Sequence, residues 1–122
     1  IEALTMIDMA GKKIIPAVVK YSRNLADTVN AVKAAGADAS VQADLLKTVC
    51  EKLATMQAAL RKLEKVETEA GRMEDAKEQA FFYKDVVKEV MQELRTPADE
   101  LEMIVDKEIW PIPTYGELMF EV

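Results

Sequence analysis

The stretch Leu46-Lys47-Thr48-Val49-Cys50-Glu51-Lys52-Leu53-Ala54-Thr55-Met56-Gln57-Ala58-Ala59-Leu60-Arg61-Lys62-Leu63 decides the fold. Leu46, Val49, Leu53, Met56, Leu60 and Leu63 fall on alternating steps of three and four, the spacing of a helix that buries one seam. Lys47, Glu51, Lys62 and Lys65 lie off that seam and form a solvated face. The pattern runs from about Ser40 to Glu69, so the centre of the chain is one long amphipathic helix.

Outward from this helix both neighbours carry the same code. On the amino-terminal side Leu4, Ile7, Ile14, Val18, Tyr21, Leu25, Val29 and Val32 make a stripe over residues 1–35. Gly11 and Pro16 interrupt it. A proline inside a helix loses a hydrogen bond and clashes with the preceding turn, so a kink or short break is expected between residues 11 and 16. Gly36 can take the left-handed conformation that ends a helix, and Asp38 or Ser40 can cap the next. On the carboxy-terminal side Gly71 marks a tight turn. A third helix over 72–107 then places Met73, Ala76, Ala80, Tyr83, Val87, Val90, Leu94, Leu101 and Ile104 on a strict heptad. Pro97 falls on the same seam, either opening a new helix behind Thr96 or kinking a continuous one; the unbroken phase favours the kink. Three long helices joined by two short turns predict an all-α, up-down-up three-helix bundle with long antiparallel helices, a single domain over 1–122.

Composition narrows the function. Lys and Arg total 16 against 22 Asp and Glu, a formal charge of −6, so the surface repels phosphate backbones and nucleic acid is not an expected partner. No apolar run reaches membrane-spanning length, and no signal peptide is evident. The chain has no His, which removes His-based acid–base catalysis, the Ser-His-Asp triad and His-ligated metal sites together. The single Cys50 cannot form an intramolecular disulfide and suits a reducing cytoplasm. Lying beside the seam of the second helix, it reads as a small core residue. Glu64, Glu67, Glu69, Glu74 and Asp75 surround the second turn, but Lys62, Lys65, Arg72 and Lys77 stand among them, so they read as a solvated face rather than a metal site. No Gly-rich phosphate loop, CxxC pair or nucleophile elbow is present, and no catalytic, cofactor-binding or metal-binding residue is assigned. The chain opens on Ile1, already in helical pattern, and reads as part of something longer.

Two features resist the bundle pattern. Phe81 and Phe82 occupy outward positions in the frame that puts Tyr83 on the seam, and adjacent exposed Phe residues often mark a covered contact. Because the third helix runs parallel to the first, Leu4, Met6, Ile7 and Met9 are placed near its start. Either the kinked start of helix one covers the Phe pair, or another domain or subunit does. The second feature is Ile109-Trp110-Pro111-Ile112-Pro113-Thr114-Tyr115-Gly116-Glu117-Leu118-Met119-Phe120, where two prolines one residue apart forbid helix. This non-helical tail, residues 108–122, is expected to dock on the bundle through Trp110, Pro111, Pro113 and Tyr115. Trp110 should arrive first, near the small residues Ala35, Gly36 and Ala37, and residues 118–122 should form a short strand.

The run Trp110-Pro111-Ile112-Pro113-Thr114-Tyr115-Gly116-Glu117-Leu118-Met119-Phe120 resembles the carboxy-terminal ending of type III glutamine synthetases. Thr5-Met6-Ile7-Asp8-Met9-Ala10, with Ile15-Pro16-Ala17 and Tyr21, is similar to the helix leading into that enzyme's last domain. The resemblance implies a parent that ligates ammonia to glutamate with ATP and Mg or Mn, in a cytoplasmic double-ring oligomer. It implies that the ligands for nucleotide, metal and glutamate lie before Ile1, so this chain alone is expected to be inactive. Its expected role is structural, in contact with the catalytic domain and neighbouring subunits. The alternative is a free-standing, spectrin-like three-helix interaction module. Such a repeat should pass its last helix onward, whereas here a Trp-Pro-x-Pro tail follows.

Overall fold

The structure is a computed structural model that describes residues 2–112. Among these residues all regular structure is helical, in three long stretches, and there is no strand. The first stretch joins α1 (Glu2–Met9) to α2 (Ile15–Ala34) through a wide π turn at Ala10–Ile14. The second is α3 (Ser40–Gly71), 32 residues without interruption and therefore about 48 Å long. The third joins α4 (Ala76–Phe82) to α5 (Lys88–Ile104) through a second π turn at Tyr83–Val87.

Local chemistry sets the ends. Gly36 sits at φ +82°, and two hydrogen bonds close the helix around it. The Gly36 N–H donates to the Lys33 carbonyl (3.0 Å) and the Ala37 N–H to that of Val32 (3.1 Å), the paired pattern of a glycine-terminated helix. Asp38 then accepts both the Ser40 N–H (3.0 Å) and the Ser40 hydroxyl (2.9 Å) at the start of α3. The expectation that Gly36 stops the helix is met, whereas the N-cap of α3 is Ala39 rather than Asp38 or Ser40, with Asp38 bonding one residue outside it.

The core lies along α3, where Val49, Met56 and Leu63 are fully buried against Val18, Val87, Leu94 and Leu101. Partners of α3 recede along the third stretch as α3 advances. Lys52 reaches Glu100 (2.8 Å), Lys62 reaches Glu93 (3.0 Å), and Glu67 accepts from Tyr83 (3.2 Å). Cys50 is exposed, which corrects the reading of it as a core residue. One residue past Val49, it is turned about 100° away from the seam.

The third helix differs from the expected 72–107 at both ends. It begins at Ala76 because Asp75 is its cap, its side chain accepting from the Lys77 (2.8 Å) and Glu78 (3.3 Å) N–H groups. It ends at Ile104 because Asp106 organises a turn. The Asp106 carboxylate accepts the Glu108 N–H (2.9 Å), and its carbonyl accepts those of Ile109 (2.9 Å) and Trp110 (3.0 Å). Within α5 the helix continues through Pro97, which is buried, so the unbroken reading of that position holds. Gly71 is the last residue of α3 itself, with no left-handed backbone.

The two π turns change which residues face inward. The Ile15 N–H bonds to the Ala10 carbonyl and the Lys88 N–H to that of Tyr83, each five residues back. Each turn therefore absorbs one extra residue, and the buried face upstream shifts by one position. In helix one Ala3 and Ala10 are buried while Leu4, expected on the stripe, is 55% exposed. In helix three Ala76 and Ala80, expected on the seam, are exposed, whereas Gln79 and Phe82 turn partly inward. The first shift has a visible cause. Pro16 has no N–H to return to Lys12, and a wide turn just before it removes the clash its ring would make in a straight helix. The expected disturbance between residues 11 and 16 is thus a π turn rather than a break.

Candidate functional site

The second π turn parts the two phenylalanines. Phe82 packs partly against the core, which corrects its assignment as an outward residue. Phe81, one position earlier, remains 61% exposed. It borders an open groove of about 670 Å³ at the start of the third helix, whose apolar floor is Met73 and Val86 with Phe82 beside them. The rim is charged, with Asp75, Glu78 and Asp85 against one cation, Lys77. Two hydrogen bonds tie α4 and the second π turn to the end of α3. The Gln79 amide donates to the Ala70 carbonyl (2.8 Å), and the Tyr83 hydroxyl donates to Glu67 Oε1 (3.2 Å). Burial raises the Tyr83 pKa, and the bond to Glu67 adds to the effect.

Met6 and Met9 were expected beside the Phe pair, and the structure places them elsewhere. Among the described residues none from α1 lines the Phe81 groove. Met6 and Met9 instead line a separate cavity of about 220 Å³ with Ala10, Met56, Leu94 and Trp110. The idea that the start of helix one covers both phenylalanines therefore fails for Phe81.

Trp110 is buried, at 7% exposure, but not against Ala35, Gly36 and Ala37, which are all exposed. The reason is the length of α5. The Tyr21 hydroxyl donates to the Ile104 carbonyl (3.4 Å), so α5 ends beside the middle of helix one. From Tyr21 to the end of α2 at Ala34 is still about 20 Å of helix. The Asp106 turn sends the chain back, and the indole comes to rest near Met56 and Leu94. Its Nε1 is buried with no hydrogen-bond partner. Burial raises the Tyr21 pKa, with a further rise from the nearby Asp106 charge. Pro111 is exposed and Ile112 packs partly against the core. Pro113, Tyr115 and the strand expected over 118–122 lie outside the described residues.

Sequence reasoning found Phe81 but missed its surroundings. Met73 was assigned to the seam, and Glu78, Asp85 and Val86 were given no role. One available signal was Asp75 with Glu78 three residues on, the spacing of a helix cap, which marks the true start of α4. Among the described residues no group of three or more Asp, Glu or Cys could hold a metal ion. No described helix is long and apolar enough to cross a membrane.

The family model described as the glutamine synthetase C-terminal domain matches residues 1–33, the first helical stretch. The chain is 33% identical to a glutamine synthetase of Butyrivibrio fibrisolvens, over 100% of its own length and 18% of that protein. It is 29% identical to a glutamine synthetase of Bacteroides fragilis (strain YCH46), over 98% of this chain and 17% of that one. A type-3 glutamine synthetase of Dictyostelium discoideum is 27% identical over the same shares, 98% and 17%. The chain thus spans less than a fifth of the length of the curated relatives it matches. Over nearly its whole length this helical chain is related to glutamine synthetases, a type-3 enzyme among them, and its residues 1–33 match the model of their C-terminal domain.

Proposed function

We propose that this chain is the structural and assembly domain of a glutamine synthetase whose active site is built by other parts of the protein. The observation that carries the reading is the match across 100% of this chain to an enzyme of that name. On this reading the parent ligates ammonia to glutamate using ATP and Mg or Mn, in the cytoplasm, within a double-ring oligomer. This chain supplies none of the catalytic groups and is inactive alone. Its three helices form an up-down-up bundle, a reading supported by the receding ion-pair partners along α3. Phe81 faces the catalytic domain or a neighbouring subunit. Met6 and Met9, half-buried beside Trp110, belong instead to the seat of the tail. The spectrin-like alternative is not favoured, because each of the three relatives named above is a glutamine synthetase. The test is glutamine formation by the full-length protein from glutamate, ammonium and Mg-ATP. Product dependent on both ATP and ammonium supports the reading, and its absence from a folded preparation overturns it.

A further inference from the structure

We propose that the Phe81 groove receives an apolar side chain flanked by Lys or Arg, on a segment from another part of the same assembled enzyme. The inference rests on the assembly reading and adds the chemistry of the occupant. Three observations carry it. Phe81 is 61% exposed in an otherwise ordered helix, and its neighbour Phe82 is packed, so the exposure belongs to one position and not to a frayed end. The π turn at Tyr83–Val87 fixes that difference, since it turns Phe82 inward and leaves Phe81 at the border of the floor made by Met73 and Val86. The rim is the third. Asp75, Glu78 and Asp85 outnumber Lys77, so the field there repels an acidic visitor, leaves a neutral one without electrostatic gain and favours a basic one. Asp75 is already committed as the α4 cap but keeps its charge. An apolar anchor with basic flanks satisfies floor and rim together.

The experiment uses the purified full-length protein with Phe81→p-benzoylphenylalanine. Irradiation and peptide mapping should give a crosslink to a segment of the enzyme itself with Lys or Arg within a few residues of the crosslinked position. Adding Glu78→Lys and Asp85→Lys should lower the yield at least roughly tenfold at low salt, and less at high salt, where the field is screened. Should the reversed protein fail to fold, Glu78→Gln with Asp85→Asn removes the charge alone and should give a smaller loss in the same direction. A crosslink to a neutral or acidic segment, a yield indifferent to these charges, or no crosslink at all overturns the inference. The glutamine synthetase reading is tested separately, by glutamine formation from glutamate, ammonium and Mg-ATP, and stands or falls whichever of these outcomes is found.

Discussion

The middle helix and the start of the third helix are built from similar residues and obey different rules. Along α3 every turn closes on the same register, and Val49, Met56, Leu60 and Leu63 are buried as a heptad requires. Between Ala76 and Val87 the same kind of reading misplaces the face by one residue, because a single wide turn absorbs one. The middle helix makes a core that composition alone could specify. The start of the third leaves an aromatic ring uncovered beside acidic side chains. A regular seam stabilises the bundle, and a local departure from regularity creates the surface that has something left to bind.

The largest test of this contrast compares truncations at matched leucines. Leu63→Ala, on the fully buried seam, should cost about 2–5 kcal/mol in urea unfolding of residues 1–122, whereas Leu4→Ala should stay within about 0.5 kcal/mol. Equal losses would mean that the π turn at Ala10–Ile14 does not shift the face.

Inserting one Ala after Lys84 should come next. With one residue more than the π turn absorbs, α4 rotates by about 100°, and Phe82 moves to the place Phe81 now holds. The expected loss is about 2 kcal/mol from the burial of Phe82 and about 1 kcal/mol from the Gln79–Ala70 bond. Helicity by circular dichroism should hardly change. An unaltered urea midpoint would show that the π turn is incidental.

The two turn glycines sharpen the comparison with opposite signs. Gly36→Ala forces a side chain to φ +82° and should destabilise by about 1 kcal/mol. Gly71→Ala lies in ordinary helix with nothing within 4 Å of the added carbon, and should stabilise by about 0.5–1 kcal/mol. Melting temperatures moving the same way in both variants would contradict these assignments.

The smallest expected effect is acid-dependent. The Asp38 pKa is lowered by its bonds from the Ser40 N–H and hydroxyl. A lowered folded pKa means that the contribution is fully present above the ordinary value of 3.8 and is lost as pH falls through the folded one. Asp38→Asn should therefore flatten slightly the decline in stability below that value. An acid profile identical to wild type would remove Asp38 from the account.

How much was legible follows from the same physics. Three helices, the Gly36 stop, the α3 seam and the passage through Pro97 could be read because each depends on neighbours a few residues away. The first π turn was half legible, since Pro16 announces trouble but not its form. The second gave no warning, for residues 83–87 contain neither Gly nor Pro, and the bonds that accompany it, from Tyr83 to Glu67 and from Gln79 to Ala70, reach to another helix. Trp110 was expected to be buried and is, yet its seat was misplaced because the Asp106 turn shortened α5 and reversed the chain. Nothing in the described residues reports catalysis, so the enzyme reading rests on resemblance and on the relatives that match it.

The most direct test of the account is sedimentation velocity of the full-length protein carrying Phe81→Ser, alongside the melting of residues 1–122 with the same change. The account predicts smaller species than wild type in the first and an unchanged melt in the second, since Phe81 is exposed within this chain and, on the proposed reading, covered by a neighbouring subunit. An oligomer of wild-type mass, with the isolated chain destabilised, would contradict it and return Phe81 to the core.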